Sequence, residues 1–138
     1  MAKESGLGLT VTVDDSVGTG RAISNDVTTL TFAIPSGVQD VTGVNSSGME
    51  RLLLLADMTV TLNGVFNDAA TTGAHTVLSN FRTLAASQVG RTTAIAHSAQ
   101  TLSEEILFSD LAYTRAASGE LTWTAPGSAA DGTVPAWT

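Results

Sequence analysis

The chain has 138 residues, 43% of them hydrophobic and 14% charged, a length and balance that fit one folded domain with a real core rather than a disordered segment. It has no cysteine, which excludes a disulfide framework and thiolate metal sites. Thirteen acidic residues against six basic ones give a net charge of −7, which argues against holding DNA by phosphate neutralisation.

Residues 1–7 lack the long apolar core of a signal peptide and read as a short N-terminal arm. Leu9, Val11 and Val13 alternate with Thr10 and Thr12, which predicts a strand over 8–13. Asp14-Asp15-Ser16 and Gly18-Thr19-Gly20 are turn material, and Arg21–Ser24 predicts a short second strand. Residues 27–34 predict another, with Leu30, Phe32 and Ile34 on one face and Thr29, Thr31 and Ala33 on the other. Pro35-Ser36-Gly37 ends it, because proline donates no ladder bond and glycine permits a turn.

Residues 38–56 then read as a long inter-strand loop that carries the longest apolar run of the chain, Leu52 to Ala56. That run is far too short to cross a bilayer. No titratable cluster sits beside it. A small domain with this much apolar material in a connection presents it to a neighbouring chain, so the stretch points to assembly rather than chemistry.

Asp57 to Leu62 alternates again, and Asn63-Gly64 predicts a bulge or bend before the strand resumes at Val65. Val77, Phe81 and Leu84 fall at helical spacing and predict one helix over about 73–84, capped by Thr71 or Thr72. Strands follow at 91–97, near 101–115 and at 119–125. In the middle one, Ile106, Leu107 and Phe108 place apolar groups on both faces. Either the strand is covered on both sides or a bulge near Ser109-Asp110 rotates its phase. The tail, about 127–138, is rich in Gly, Ala and Pro and reads as a C-terminal arm, with Trp137 expected to dock.

The residues offer little chemistry. His75 and His97 have no second ligand at metal spacing, and Glu104 and Glu105, adjacent on a strand, point to opposite faces. Gly18-Thr19-Gly20 lacks the GK[ST] of a P-loop, and the arginines are scattered without interleaved aromatics. These features argue against an enzyme and imply no cofactor.

The order of features is similar to one family. A strand ending at Pro35 leads to Asp40-Val41-Thr42-Gly43, then a long loop to Glu50-Arg51-Leu52. The Asp57 strand ends in Asn63-Gly64-Val65-Phe66. A single helix with Ala74-His75-x-Val77-Leu78 follows, and the last strand pair closes with Gly119-Glu120-Leu121-x-Trp123. From about Asp26 to Trp123 this resembles the major tail tube protein of long-tailed, non-contractile bacteriophages. Tubes of related design occur in gene-transfer particles and injection machines, which these residues do not separate from a virus.

The resemblance implies a mainly β domain over 1–138, with two packed antiparallel sheets and the helix on the flank. It implies hexameric rings stacked as a tube in the virion tail, built in the host cytoplasm. Its partners would be further copies, the tape-measure protein and transiting DNA in the lumen, and tail terminator and distal tail proteins at the ends. The loop at 38–56 matches the one that reaches a neighbouring subunit or ring. Val44, Met49, Arg51, Leu52, Leu53, Leu54, Leu55 and Trp137 are thus the expected contacts. Thr29, Thr31, Thr59 and Thr61 would line a wet channel. Asp26, Asp57, Glu104 and Glu120 are the candidates for acidic groups that keep DNA from sticking. The other roles weighed are a capsid decoration or tail-completion protein, and a monomeric β-sandwich module that binds carbohydrate or protein.

Overall fold

The computed structural model describes residues 3–138, so Met1 and Ala2 of the expected N-terminal arm lie outside the described residues. The alternating segments form antiparallel strands: β1 (Thr10–Asp14), β2 (Gly20–Ala22), β3 (Val27–Ala33), β4 (Ser36–Asp40), β5 (Arg51–Ala56) and β6 (Thr59–Val65). After the helix α1 (Ala74–Leu78) come β7 (Arg91–His97), β8 (Gln100–Phe108), β9 (Ala112–Arg115) and β10 (Leu121–Ala129). One large sheet runs β2-β1-β7-β8-β10-β6-β3, with β9 also on β10, and a small second sheet pairs β4 with β5.

The large sheet works as two layers. Val11, Val13, Ile95, Leu102 and Ile106 from the β1-β7-β8 part share one buried core with Met58, Val60, Leu62, Trp123 and Ala125 from the β6-β10 part. A sheet with one apolar face per half buries both only by folding over on itself. The hinge is β10. Its first residues pair with β9, its length pairs with β6, and its last three, Gly127, Ser128 and Ala129, pair with β8. Gly127 suits the crossing, because a Cβ there would lie 2.6 Å from Cγ2 of Ile106.

The bulge expected at Asn63-Gly64 is present, but on the partner. β6 runs straight through, and Thr28 of β3 is the extra residue between the Val27↔Gly64 and Thr29↔Asn63 pairs. Gly64 is required there for packing. A Cβ would sit 2.1 Å from the Asp26 carbonyl oxygen and 2.6 Å from Cζ2 of Trp123. The two-faced apolar stretch resolves by interruption: β8 ends at Phe108, Leu107 is left exposed, and β9 begins after a break at 109–111.

The helix is shorter than its periodicity predicts, and its caps come from elsewhere. Val77, Leu78 and Phe81 are buried as expected, but α1 stops at Leu78 and continues as turns. Arg91 explains the stop. Its guanidinium, fully buried, donates to the carbonyls of Val77 (2.9 Å), Asn80 (2.7 Å) and Thr83 (2.9 Å), and also to that of Asp14 (2.8 Å). Carbonyls held by a side chain do not need to continue the i→i−4 ladder. At the N-terminus neither Thr71 nor Thr72 caps. The carboxylate of Asp26 accepts from the Ala74 N–H at 3.0 Å.

Candidate functional site

The region expected as a loop is a protruding β-ribbon. β3 and β6 pair up to Ala33↔Thr59, the Asp57 N–H donates to the Pro35 carbonyl at 2.8 Å, and pairing resumes at Ser36↔Ala56. β4 and β5 are therefore the outward continuation of β3 and β6. A bulge between Ser36 and Val38, with the extra residue on β5, sets the outer pairs Val38↔Leu53, Gln39↔Leu52 and Asp40↔Arg51. The tip is tied by Thr42, whose hydroxyl donates to Asp40 Oδ1 at 2.6 Å and accepts from the Glu50 N–H at 2.8 Å.

This arm has no core of its own. Arg51, Leu52, Leu53, Leu54 and Leu55 are all exposed, with Leu53 at 76% and Leu55 at 89% of their full surface. Val38, Val44 and Met49 are exposed on the facing strand and the tip. An isolated two-stranded hairpin is marginal in water, and contiguous apolar surface of this kind marks an interaction site. Removing Leu53 and Leu55 from water is worth about 3–6 kcal/mol. The chain-order resemblance located this surface, but its strand pairing was hidden because four consecutive leucines show no alternation.

Trp137 lies apart from the arm. Its backbone bridges to Leu102, Thr138 exchanges two hydrogen bonds with Thr101, and the ring packs edge-on against Phe32 at 6.0 Å. The last residues thus cross from β8 to β3, and the indole remains 43% exposed beside an open cavity with Glu4, His97, Ser98 and Gln100.

The other face of the β9-β10-β6-β3 layer is open. Alternation puts Thr59, Thr61 and Asn63 of β6 on it, and the register places Thr29, Thr31 and Ala33 of β3 alongside. On the other flank lie Thr122, Thr124, Pro126 and Ser128 of β10, with Ala112 and Thr114 of β9 beyond them. None of these residues is charged. β3 and β9 each pair on one side only, so the layer has two unpaired edges.

Two of the four acidic candidates are corrected by their burial. Asp26 is 6% exposed and is used up in accepting from the Asn67 side chain and the Ala74 N–H. Glu104 is 4% exposed and shares the core-facing side of β8 with Leu102 and Ile106. Burial, then the neighbouring Asp131 carboxyl, raises the Glu104 carboxyl above its ordinary range. Asp57 and Glu120 are exposed. Among the described residues, no group of three or more His, Asp and Glu side chains gathers as a metal site would require. No helix among them is long and apolar enough to cross a membrane.

No family model and no curated protein matches the chain. Solved structures do. The chain is similar to one in the virion of a native gene transfer agent particle, with a TM-score of 0.72 and 17% identity over 99% of each chain. It is equally similar to one in the tail of an empty gene transfer agent particle with C6 symmetry, with a TM-score of 0.73 and 18% identity over 99% of each chain. The chain therefore shares the fold of these two chains over 99% of the length of each.

Proposed function

We propose that the chain is a tail-tube subunit. Six copies close a ring, rings stack into a hollow tube in the virion tail, and the tube conducts DNA. The observation that carries this reading is the arm, a ribbon with exposed leucines on an otherwise well-packed domain. Further copies of the chain cover it by receiving the arm on an adjacent subunit or ring. Trp137 is a second contact.

The unpaired edges support the same reading. A four-stranded layer open at β3 and at β9 invites uncontrolled pairing unless something closes it. Edge-to-edge contact between copies is heterologous, and a heterologous contact closes when its rotation divides the circle. The six-fold symmetry of the similar tail supplies such a rotation. Six four-stranded layers make a barrel wider than those of roughly 16–18 strands that already hold an aqueous channel. Within it, the tape-measure protein and then DNA pass without specific binding, and terminator and distal tail proteins finish the ends.

Electron microscopy of the purified protein, or of its native particle, tests this. Hollow tubes with six-fold end views are expected. Small closed oligomers that never extend, or lone molecules at high concentration, overturn it. Deleting Asn45 to Leu54 is expected to abolish tubes and leave a folded β domain by circular dichroism.

A further inference from the structure

We infer that the lumen wall of this tube is electrically neutral along its length and carries acid only at its two rims. A polyanion then slides over hydrated hydroxyls instead of being held off by like charge. The inference rests on the tube reading above.

The open face of the β9-β10-β6-β3 layer carries the argument. Thr59, Thr61 and Asn63 form its central row, flanked by threonines of β3 and β10, and no Asp, Glu, Lys or Arg falls among them. In a chain of net charge −7, that leaves the acid elsewhere. Asp57 continues the row of Thr59 past the arm end, its N–H bonded to the Pro35 carbonyl at 2.8 Å. Glu120 precedes Thr122 at the other end, its carbonyl accepting from the Ala116 N–H at 2.9 Å. These two exposed carboxylates bracket the face.

Distance decides how far they act. At about 3.4 Å per residue, Thr61 lies roughly 14 Å along the strand from Asp57. Glu120 is farther, since Thr61 pairs with Pro126, so about 20 Å separates them. The screening length at physiological salt is about 8 Å, so neither rim dominates the middle of the wall. The hydroxyls are partly tied within the face, Thr124 donating to Asn63 Oδ1 at 2.8 Å. A neutral hydroxyl exchanges a phosphate for water at little net gain, and no lysine or arginine is present to release counterions.

The chain has no native cysteine, which makes a single introduced thiol a clean reporter. Thr61→Cys and, separately, Thr31→Cys are assembled into tubes and treated with methanethiosulfonate reagents of like size, one cationic and one anionic, and with a long-chain polyethylene glycol maleimide. In tubes, the polymer reagent is expected to be excluded. The cation-to-anion rate ratio is expected to stay within about twofold of that for the unfolded protein, whereas an acidic wall concentrates cations at least about tenfold. Reaction with the polymer in intact tubes places this face outside and overturns the inference, as does a tenfold cation preference. Failure of the unsubstituted protein to form tubes overturns the tube reading itself and the inference with it.

Discussion

The carboxylate of Asp26 accepts a hydrogen bond from the backbone N–H of Ala74, 48 residues later in the chain, at 3.0 Å. The same carboxylate accepts from the Asn67 side chain at 2.9 and 3.1 Å. One buried group thus fixes the entry to α1, the loop before it and the start of β3. Asp26→Ala removes a helix cap and orphans buried donors, a loss of about 2–3 kcal/mol. Urea unfolding, read by circular dichroism, is expected to show that shift without a change of fold.

Gly64 is a packing requirement. The indole of Trp123 crosses it closely enough to donate from Nε1 to the Val65 carbonyl at 2.7 Å. Gly64→Ala forces a methyl into space held by that ring and by the Asp26 backbone. It is expected to cost at least about 1–3 kcal/mol and to shift the tryptophan emission, measurable in one fluorescence titration.

Arg91 ties α1 and the turns after it to β1 through the carbonyls of Val77, Asn80, Thr83 and Asp14. Arg91→Met removes all four donations, including the buried ones to the Asp14 and Val77 carbonyls, and is expected to destabilise by about 2–5 kcal/mol. Arg91→Lys is expected to rescue little, because one ammonium cannot span the fork of acceptors. Amide exchange over residues 77–83 checks both, with protection falling in each variant.

Glu104 gives a pH signature. Burial raises its folded-state carboxyl above the ordinary value of 4.5. The folded state therefore favours the protonated form. That contribution is fully present below about pH 4.5 and is lost as pH rises through the raised value. Asp131 runs the other way: the Thr133 N–H, then Glu104, lower its carboxyl, so its contribution is lost as pH falls. Glu104→Gln mimics the protonated acid. It is expected to raise Tm at pH 7 and to flatten the stability profile above pH 4.5, measured by thermal unfolding across pH.

The arm separates assembly from stability. Leu53→Asp and Leu55→Asp change exposed residues with no core contact, so subunit stability is expected to move by less than about 0.5 kcal/mol. Sedimentation is expected to show loss of polymer in both. A variant that polymerises normally would remove the arm from the interface.

The strands were legible where one face is buried and the other wet: β7 falls on the expected 91–97, and β3 and β6 nearly so. Period-two patterning reports a half-buried surface, and those segments have one. The arm was legible as an apolar segment set apart from the core but not as a ribbon, because with neither face buried its residues carry no alternation. The burial of Asp26 and Glu104 was not legible. Nothing local announces that a carboxylate will cap a helix 48 residues away, or that Glu104 will share a face with Leu102 and Ile106. The neutrality of the open face emerges only from the register, which sets threonines from β3, β6 and β10 side by side.

β4 and β5 prolong β3 and β6 across a two-residue interruption in each strand that the Asp57 N–H to Pro35 carbonyl bond bridges, so both strands tie the arm to the layer it leaves. A load applied to its leucines runs along the strand axes into the β3–β6 ladder. There it acts in shear, on many backbone bonds together, rather than peeling them one at a time. In the proposed tube, the protrusion that grips a neighbour is also the beam that spreads the strain of that grip through the subunit.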